Sequence, residues 1–243
     1  MIYGELPSKP VVYAACDRVY FEEHAPSLIY SLNDIGKDIH IHICDPNPKT
    51  HVLESIIRND IDVDITFTYN DIGATPIDVR AYYSCLRFMM LPDILRTAGK
   101  VLTVDTDCVF MNDFEYPETP TGYFPRESLS GTHGWEAQGT KVAAGCVYTD
   151  SRALPVAQAI AKRIEEGPMR WFIDQIALAD VFDRVDDKDV TKFDGRFMDW
   201  EFIEGTVIWT GKGPRKHENQ TYLKAKNDFN RLPSAVGRSW DKA

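Results

Sequence analysis

Long hydrophobic runs are missing from this chain of 243 residues. No run approaches the 18 or more apolar residues that a membrane-spanning helix needs. The amino terminus also lacks the positive segment and apolar core of a secretory signal. We therefore expect no membrane span and, by default, a cytoplasmic protein.

Closely spaced cysteine pairs are also absent. The five cysteines, an odd number, are Cys16, Cys44, Cys85, Cys108 and Cys146. At least Cys44, Cys108 and Cys146 stand in apolar, strand-like stretches. Disulfide frameworks and zinc sites need paired, regularly spaced cysteines. The sequence predicts reduced thiols in the core.

Positive charge is scarce over most of the chain, which carries a formal net charge of −10. A general nucleic-acid binder needs a basic surface to displace counterions, so we expect no nucleic-acid partner. Residues 211–243 are the exception, with eight lysines and arginines against three acidic residues. This segment is either a local phosphate-binding region or a solvated basic end.

Apolar strand patterns alternate with helical patterns through the first half of the chain, which favours an α/β class with a mostly parallel sheet and helices on both faces. We predict one domain over residues 1–243, with a nucleotide-binding half at about 10–112, a smaller half at about 113–220 and a basic tail at 221–243. The predicted strands are 11–15, 39–44, 63–69, the strand before Asp105, and 142–148; the predicted helices are 22–34, 50–58, 78–97 with a division at Pro92, 152–166 and 172–182.

A glycine-rich segment at 130–139 follows the proline-rich stretch after Asn112. Such a segment is typical of a loop that lies over a functional site. Trp135 within it is either an aromatic platform that helps to exclude water or a core residue.

Two aspartates separated by one residue follow the apolar stretch 101–104. If the segment is extended, Asp105 and Asp107 project to the same side, roughly 6 to 7 Å apart. Such a pair is suited to Mg²⁺ or Mn²⁺, which takes oxygen ligands and keeps open positions for phosphate oxygens. A surface turn with two solvated aspartates is the alternative.

The order of five motifs resembles glycosyltransferase family 8. They are the first strand ending Val-Val-Tyr-Ala-Ala-Cys-Asp17, the helix with Arg87-Phe-Met-Met-Leu-Pro92, the stretch Asp105-Thr-Asp107, Ala143-Ala-Gly145, and Asp174-Gln175. The resemblance covers roughly residues 10 to 220. It implies the GT-A fold, a nucleotide-sugar donor, expected to be a UDP-sugar, an acceptor of unknown class, and a divalent metal, Mn²⁺ or Mg²⁺.

The resemblance also implies the donor-binding residues. The first strand would meet the nucleoside, Arg87 the phosphates or sugar, and the two aspartates the metal, with Asp105 also near the sugar or the ribose. Arg87 is alternatively a structural ion-pair residue. The residues implied for the donor are Tyr13, Ala14, Ala15, Asp17, Arg87, Asp105, Thr106, Ala144, Gly145, Lys212, Gly213 and Lys216.

The Asp-Gln pair and the carboxyl-terminal motif of the family differ in how well this sequence matches them. Asp174 and Gln175 match the pair that lies near the anomeric carbon in such enzymes, although Asp174 is alternatively a helix-start residue. The carboxyl-terminal motif His-x-x-Gly-x-x-Lys has threonine in place of histidine, in Thr210-Gly-Lys-Gly-Pro-Arg-Lys216. The third metal ligand is therefore uncertain between Thr210 and His217.

The sequence favours a metal-dependent, retaining hexosyltransferase. A haloacid-dehalogenase-type phosphatase also places Asp-x-Asp after an apolar strand, but on the first strand of its fold, whereas three strand patterns precede Asp105. A non-catalytic nucleotide-sugar-binding protein on the same fold is the other alternative, because Cys16, Ala143 and Thr210 replace polar residues of the family.

Overall fold

A computed structural model describes residues 2–73, 78–126, 141–211 and 213–232. The predicted lid segment 130–139, with Trp135, and the donor-binding candidate Lys212 lie outside these residues. No helix among the described residues is long and apolar enough to cross a membrane. All five cysteines are free and buried, as the sequence predicted.

An eight-stranded mixed sheet in the order β1-β4-β3-β2-β5-β8-β7-β9 forms the centre of the fold. Four adjacent strands, β4, β3, β2 and β5, run parallel to one another. The strands are β1 (Ile2–Gly4), β2 (Val11–Asp17), β3 (Ile39–Cys44), β4 (Ile65–Asn70), β5 (Lys100–Val104), β6 (Cys108–Phe110), β7 (Thr121–Pro125), β8 (Val142–Asp150), β9 (Val190–Lys192), β10 (Met198–Asp199) and β11 (Ile208–Thr210).

Helices connect and cover these strands, and the predicted α/β class is confirmed. The helices are α1 (Arg18–Asp34), α2 (Pro48–Arg58), α3 (Val79–Ala98), α4 (Leu154–Glu165), α5 (Ile173–Phe182), α6 (Arg215–Glu218) and α7 (Gln220–Phe229). Helix α1 begins directly after β2, four residues earlier than predicted, because Asp17 caps it by accepting a hydrogen bond from the Tyr20 amide at 2.8 Å.

Pro92 does not divide α3, contrary to the sequence prediction. A proline inside a helix removes one backbone hydrogen bond and crowds the preceding turn. Eleven residues of α3 are buried, Pro92 among them, and the helix packs on β2, α4 and α5. Burial on several sides offsets the local cost and keeps the helix continuous.

The core lies on both faces of the large sheet. One face packs with α1 and α2 around Phe21, Leu28 and Phe67. The other face packs with α3, α4 and α5 around Phe88, Leu91 and Leu178. Parallel strands covered on both faces are buried along nearly their whole length, which is why β2 up to Cys16 and all of β3 are continuous apolar or uncharged runs.

A second, three-stranded sheet in the order β10-β11-β6 adjoins the large one. Helix α7, in the segment predicted as a basic tail, packs against α1, and its Tyr222 is fully buried. The Ser27 hydroxyl donates to the Lys226 carbonyl at 2.8 Å and ties the two helices together. The segment up to residue 232 is therefore a structural part of the domain.

Candidate functional site

Asp105 and Asp107 lie on a tight turn between the two sheets. Strand β5 ends at Val104 and β6 begins at Cys108, whose amide donates to the Asp105 carbonyl at 3.1 Å. The segment is not extended, so the sequence prediction is wrong on this point. The physical reason is that β5 belongs to the large sheet and β6 to the small one, and the chain changes sheets within these three residues.

Arg87 joins the first aspartate to α5. Its side chain is buried, with Nη1 on the Asp105 carboxylate and Nη2 at 3.5 Å from Asp174 Oδ2. Burial raises the pKa of the Asp174 carboxyl, and the positive charge of Arg87 opposes that shift. Three residues singled out in the sequence, from α3, the turn and α5, therefore form one ion-pair network, in which Arg87 and Asp174 are buried and Asp105 is partly exposed.

Lys216 is the corresponding partner of the second aspartate. Its Nζ lies 3.3 Å from Asp107 Oδ2, contacts the Tyr20 hydroxyl and stands 4.8 Å from the centre of the Tyr20 ring. Burial and the negative charge of Asp105 raise the pKa of the Asp107 carboxyl, and Lys216 lowers it. The two carboxylates are thus close enough to repel, and each has a cationic side chain beside it.

The carboxyl-terminal segment is held at this site by Tyr222, which the sequence analysis missed. Its hydroxyl donates to the Asp107 carbonyl at 2.6 Å. A Cβ on Gly211 would lie 2.6 Å from the Lys216 Cβ and 2.7 Å from the Tyr222 Cζ, so only glycine fits there. The apolar spacing of Tyr222, Ala225 and Phe229 is a sequence signal for this helix.

The first-strand candidates occupy the end of β2. Tyr13, Ala14 and Ala15 are buried in the core, and Asp17 is partly exposed at the strand end. The Thr106 hydroxyl donates to the Ala15 carbonyl at 3.4 Å, which joins the aspartate turn to β2. Any donor contact by the three core residues would therefore use their backbone.

Three glycine and alanine candidates lie on other elements. Ala144 and Gly145 are in β8, and the Asp105 amide donates to the Gly145 carbonyl at 3.4 Å, so β8 lies beside the turn. Gly213 adopts a positive φ of 62° before α6. These residues offer a ligand their backbone and the space that a larger side chain would fill.

The two candidates for a third metal ligand are placed differently. Thr210 is buried in β11, in register with Cys108, whereas His217 is exposed on α6. Among the described residues, neither side chain forms a hydrogen bond or ion pair with the carboxylate of Asp105 or Asp107. Neither is therefore distinguished as the third ligand.

The carboxylates of Asp105 and Asp107 suit a cation that takes few protein ligands. Within residues 2–73, 78–126, 141–211 and 213–232, no cluster of three or more histidine, cysteine or acidic residues could hold a metal ion. Mg²⁺ is commonly bound by one or two carboxylates, with waters and substrate phosphates completing its shell. The mutual repulsion of Asp105 and Asp107 is the property that such a cation would relieve.

Gln175 adds an unsatisfied group beside this network. Its amide oxygen Oε1 is buried and has no hydrogen-bond partner among the described residues. A buried acceptor without a donor costs about 1 to 3 kcal/mol, so it is a natural contact for a hydroxyl group of a ligand. The neighbouring Asp174 carboxylate accepts from the Gln175 backbone amide at 2.8 Å, which orients that carboxylate.

Gly145 leaves space for the Asp105 carboxylate. A Cβ at this position would lie 2.7 Å from Asp105 Oδ2. We expect Gly145→Ala to displace the carboxylate and to slow by about 100-fold any reaction that depends on its position, the order of effect that a misplacement of about 1 Å produces. The measurement is kcat/KM together with a melting curve.

Gly122 in β7 provides the matched control for that substitution. A Cβ there would lie 3.0 Å from the Phe193 ring, away from the aspartate turn. Gly122→Ala should lower stability and leave kcat/KM of the folded protein unchanged. Equal losses of activity in the two variants would contradict a specific role for the space at Gly145.

Comparison with solved structures shows which proteins share this fold. The glycosyltransferase GlyE of Streptococcus pneumoniae TIGR4 is similar with a TM-score of 0.62 at 16% identity, covering 96% of this chain and 64% of that one. The bifunctional glycosyltransferase WbbM is similar with a TM-score of 0.57 at 14% identity, covering 94% of this chain and 45% of that one. No protein-family model and no curated protein matches the sequence.

These similarities establish the fold. The chain has a mixed α/β architecture found in glycosyltransferases, and it spans less than two thirds of the length of both solved chains. A fold hosts several functions, so activity must be argued from the site itself.

Proposed function

We propose that this protein is a glycosyltransferase that moves a hexose from a nucleoside-diphosphate donor, a UDP-hexose, to an acceptor. The observation that carries the proposal is the largely buried network in which Arg87 and Lys216 face Asp105, Asp107 and Asp174. It lies at the carboxyl end of β5, the edge at which open α/β sheets bind ligands. The fold shared with GlyE and WbbM supports the same class of enzyme.

The cationic side chains suit the diphosphate part of the donor. When the bond between the anomeric carbon and the phosphate oxygen breaks, the electron pair leaves with that oxygen and negative charge grows on the diphosphate. Lys216 is half-buried and stands at the turn, so its charge is only weakly screened by water. We propose that Lys216 stabilises the leaving group, as preorganised charges do in transition states.

A divalent cation is part of the proposal. Asp105 and Asp107 would hold Mn²⁺ or Mg²⁺, which would supply charge stabilisation for the diphosphate. With two carboxylates as its protein ligands, the ion would depend on donor phosphates for the rest of its shell.

Asp174 and Gln175 are proposed to face the sugar. The Asp174 carboxylate is buried and is oriented by Arg87 and by the Gln175 backbone amide. The side-chain oxygen of Gln175 has no hydrogen-bond partner among the described residues, so it can accept one from a ligand. An ionised carboxylate fixed in this way can stabilise the positive charge that develops on the sugar ring. Retention of the anomeric configuration belongs to the proposal through the resemblance to family 8.

The test of this proposal is calorimetric titration of UDP, with GDP and CMP as comparisons, in the presence and absence of Mn²⁺. We expect UDP to bind in a Mn²⁺-dependent manner and to lose measurable binding in Asp105→Asn/Asp107→Asn. Loss is expected because the amides remove two negative charges from the proposed cation ligands. Metal-dependent hydrolysis of UDP-hexoses then distinguishes an enzyme from a binding protein.

Two exposed aspartates serve as the control. Asp93 and Asp113 form surface ion pairs with Arg96 and Lys37, so Asp93→Asn/Asp113→Asn removes the same charge elsewhere. That variant should bind UDP like the wild type. A folded wild-type protein that binds none of the three nucleotides would overturn the proposed function.

A further inference from the structure

We infer that the ribose of the donor binds beside Asp45, at the carboxyl ends of β2, β3 and β4, with the Asp45 carboxylate accepting hydrogen bonds from ribose hydroxyl groups. This inference rests on the proposed function and assigns the nucleoside part of the same site. We call the group formed by Asp17, Asp45, Asn70 and Tyr83 the ribose edge.

Strand register brings the ribose edge together. Asp17 is in register with Cys44, and Cys44 is in register with Asn70, so the three strands end at the same level. Asp45 is the next residue after β3, and its amide donates to the Asn70 carbonyl at 2.8 Å. This edge adjoins β5, whose end carries the Asp105 turn, because β5 pairs with β2.

Asp45 is fixed in an unusual backbone conformation. Its φ of 51° lies in the left-handed region, which non-glycine residues adopt rarely and which is enriched at functional sites. Its Oδ1 accepts from the Ile72 amide at 2.9 Å and its Oδ2 from the Tyr83 hydroxyl at 3.2 Å. Each carboxylate oxygen can accept a second hydrogen bond, and the residue is partly exposed.

Helix α3 connects the ribose edge to the phosphate-binding side chains. Tyr83 and Arg87 are four residues apart on this helix, so they lie on one face and one turn apart. Tyr83 contacts Asp45, and Arg87 contacts Asp105. A ribose lies next to the diphosphate in a nucleotide, and the same order is present along this face of α3.

Asn70 is held in place from inside the sheet. Its Oδ1 lies 2.9 Å from His42 Nε2, and its Nδ2 lies 3.4 Å from the Tyr82 hydroxyl. The amide is therefore oriented by buried groups before any ligand arrives. A preorganised edge lowers the entropy cost of binding.

The experiment compares UDP, 2′-deoxy-UDP and pyrophosphate, each titrated with Mn²⁺ into the wild type and into Asp45→Asn. A hydrogen bond to a charged group contributes about 1.5 to 3 kcal/mol, which corresponds to roughly 10-fold to 100-fold in affinity. We expect wild type to prefer UDP over 2′-deoxy-UDP by at least about 10-fold. In Asp45→Asn, the affinity for UDP should fall to that for 2′-deoxy-UDP. The affinity for pyrophosphate should stay unchanged.

Lys216→Met separates the inference from the proposed function. It should weaken UDP, 2′-deoxy-UDP and pyrophosphate alike and keep the preference for UDP, since it acts on the phosphates. A wild type that binds UDP but does not distinguish it from 2′-deoxy-UDP would overturn the ribose assignment alone. An unchanged preference in folded Asp45→Asn would do the same, whereas a wild type without UDP binding would overturn the proposed function.

Discussion

Replacing Arg87 with methionine is expected to lower the free energy of unfolding by about 3 to 5 kcal/mol at neutral pH and to remove donor binding. The guanidinium is buried and contacts two carboxylates, Asp105 and Asp174. Methionine fills much of the same volume but leaves both negative charges without their partner. Most of the cost comes from Asp174, because its buried carboxylate would have neither water nor a counterion, whereas Asp105 is partly exposed to solvent.

The cost of Arg87→Met should be smaller at pH 5 than at pH 7.5. Burial already raises the pKa of the Asp174 carboxyl, and Arg87 is the largest influence that lowers it. Without Arg87 the carboxyl takes up a proton at higher pH, and a neutral acid is cheaper to bury than a carboxylate. Urea unfolding at the two pH values measures this difference.

Arg163→Met is the matched control, because Arg163 forms a half-exposed ion pair with Asp180 at 2.8 Å. Exposed pairs contribute about 1 kcal/mol or less, so its loss should be small and independent of pH over this range. Equal destabilisation by Arg87→Met and Arg163→Met would contradict the buried network as an energetic centre of the site.

The sheet and the main helices could be predicted from the sequence because their apolar patterns are long. The strands at 39–44 and 142–148 and the helix at 78–97 match β3, β8 and α3 closely. These elements are buried on one or two faces, so pattern and burial agree. The small sheet could not be predicted, because β10 and β11 contain only two and three residues and the sheet depends on the pairing of β11 with distant β6.

The site was predictable as a set of residues but not as a geometry. Arg87, Asp105 and Asp174 were singled out separately, and only the packing of α3 and α5 on the sheet shows that one guanidinium contacts both acids. Tyr20 was missed because its contact with Lys216 joins residues far apart in the chain. Asp45 was missed because a single aspartate after a strand carries no pattern of its own.

A ladder of polar side chains lies inside the sheet, between β3 and β4. The alternation in β3 and β4 puts His40 and His42 on the same face as Thr66, Thr68 and Asn70. His40 contacts Thr66 at 2.8 Å and Thr68 at 3.0 Å, and His42 contacts Thr68 at 2.8 Å. Both imidazoles are fully buried, so the charged form is strongly disfavoured.

Burial lowers the pKa of His40 from 6.5 to about 3 and that of His42 from 6.5 to about 4. The unfolded chain therefore binds more protons than the native protein between about pH 6.5 and pH 4, and stability falls as the pH falls through this window. Between pH 8 and pH 5 each histidine should lower the free energy of unfolding by about 2 kcal/mol, so the pair should lower it by about 4 kcal/mol. Well above pH 6.5, where the imidazoles are neutral in both states, this cost is absent.

Urea unfolding of His40→Gln/His42→Gln at pH 8 and pH 5 measures the contribution of the ladder. Glutamine does not titrate, so the variant should lose about 4 kcal/mol less than the wild type between these pH values. A residual slope should remain, because burial also lowers the pKa of His24 to about 3.

The difference in slope is informative because other titrating groups at the site act equally in both proteins. Asp107 and Asp174 have raised pKa values and favour the folded state at low pH, which opposes the histidines. They contact Lys216 and Arg87, not the ladder, so their contribution cancels in the comparison. Parallel stability curves for wild type and double variant would show that the two imidazoles do not remain neutral in the folded protein.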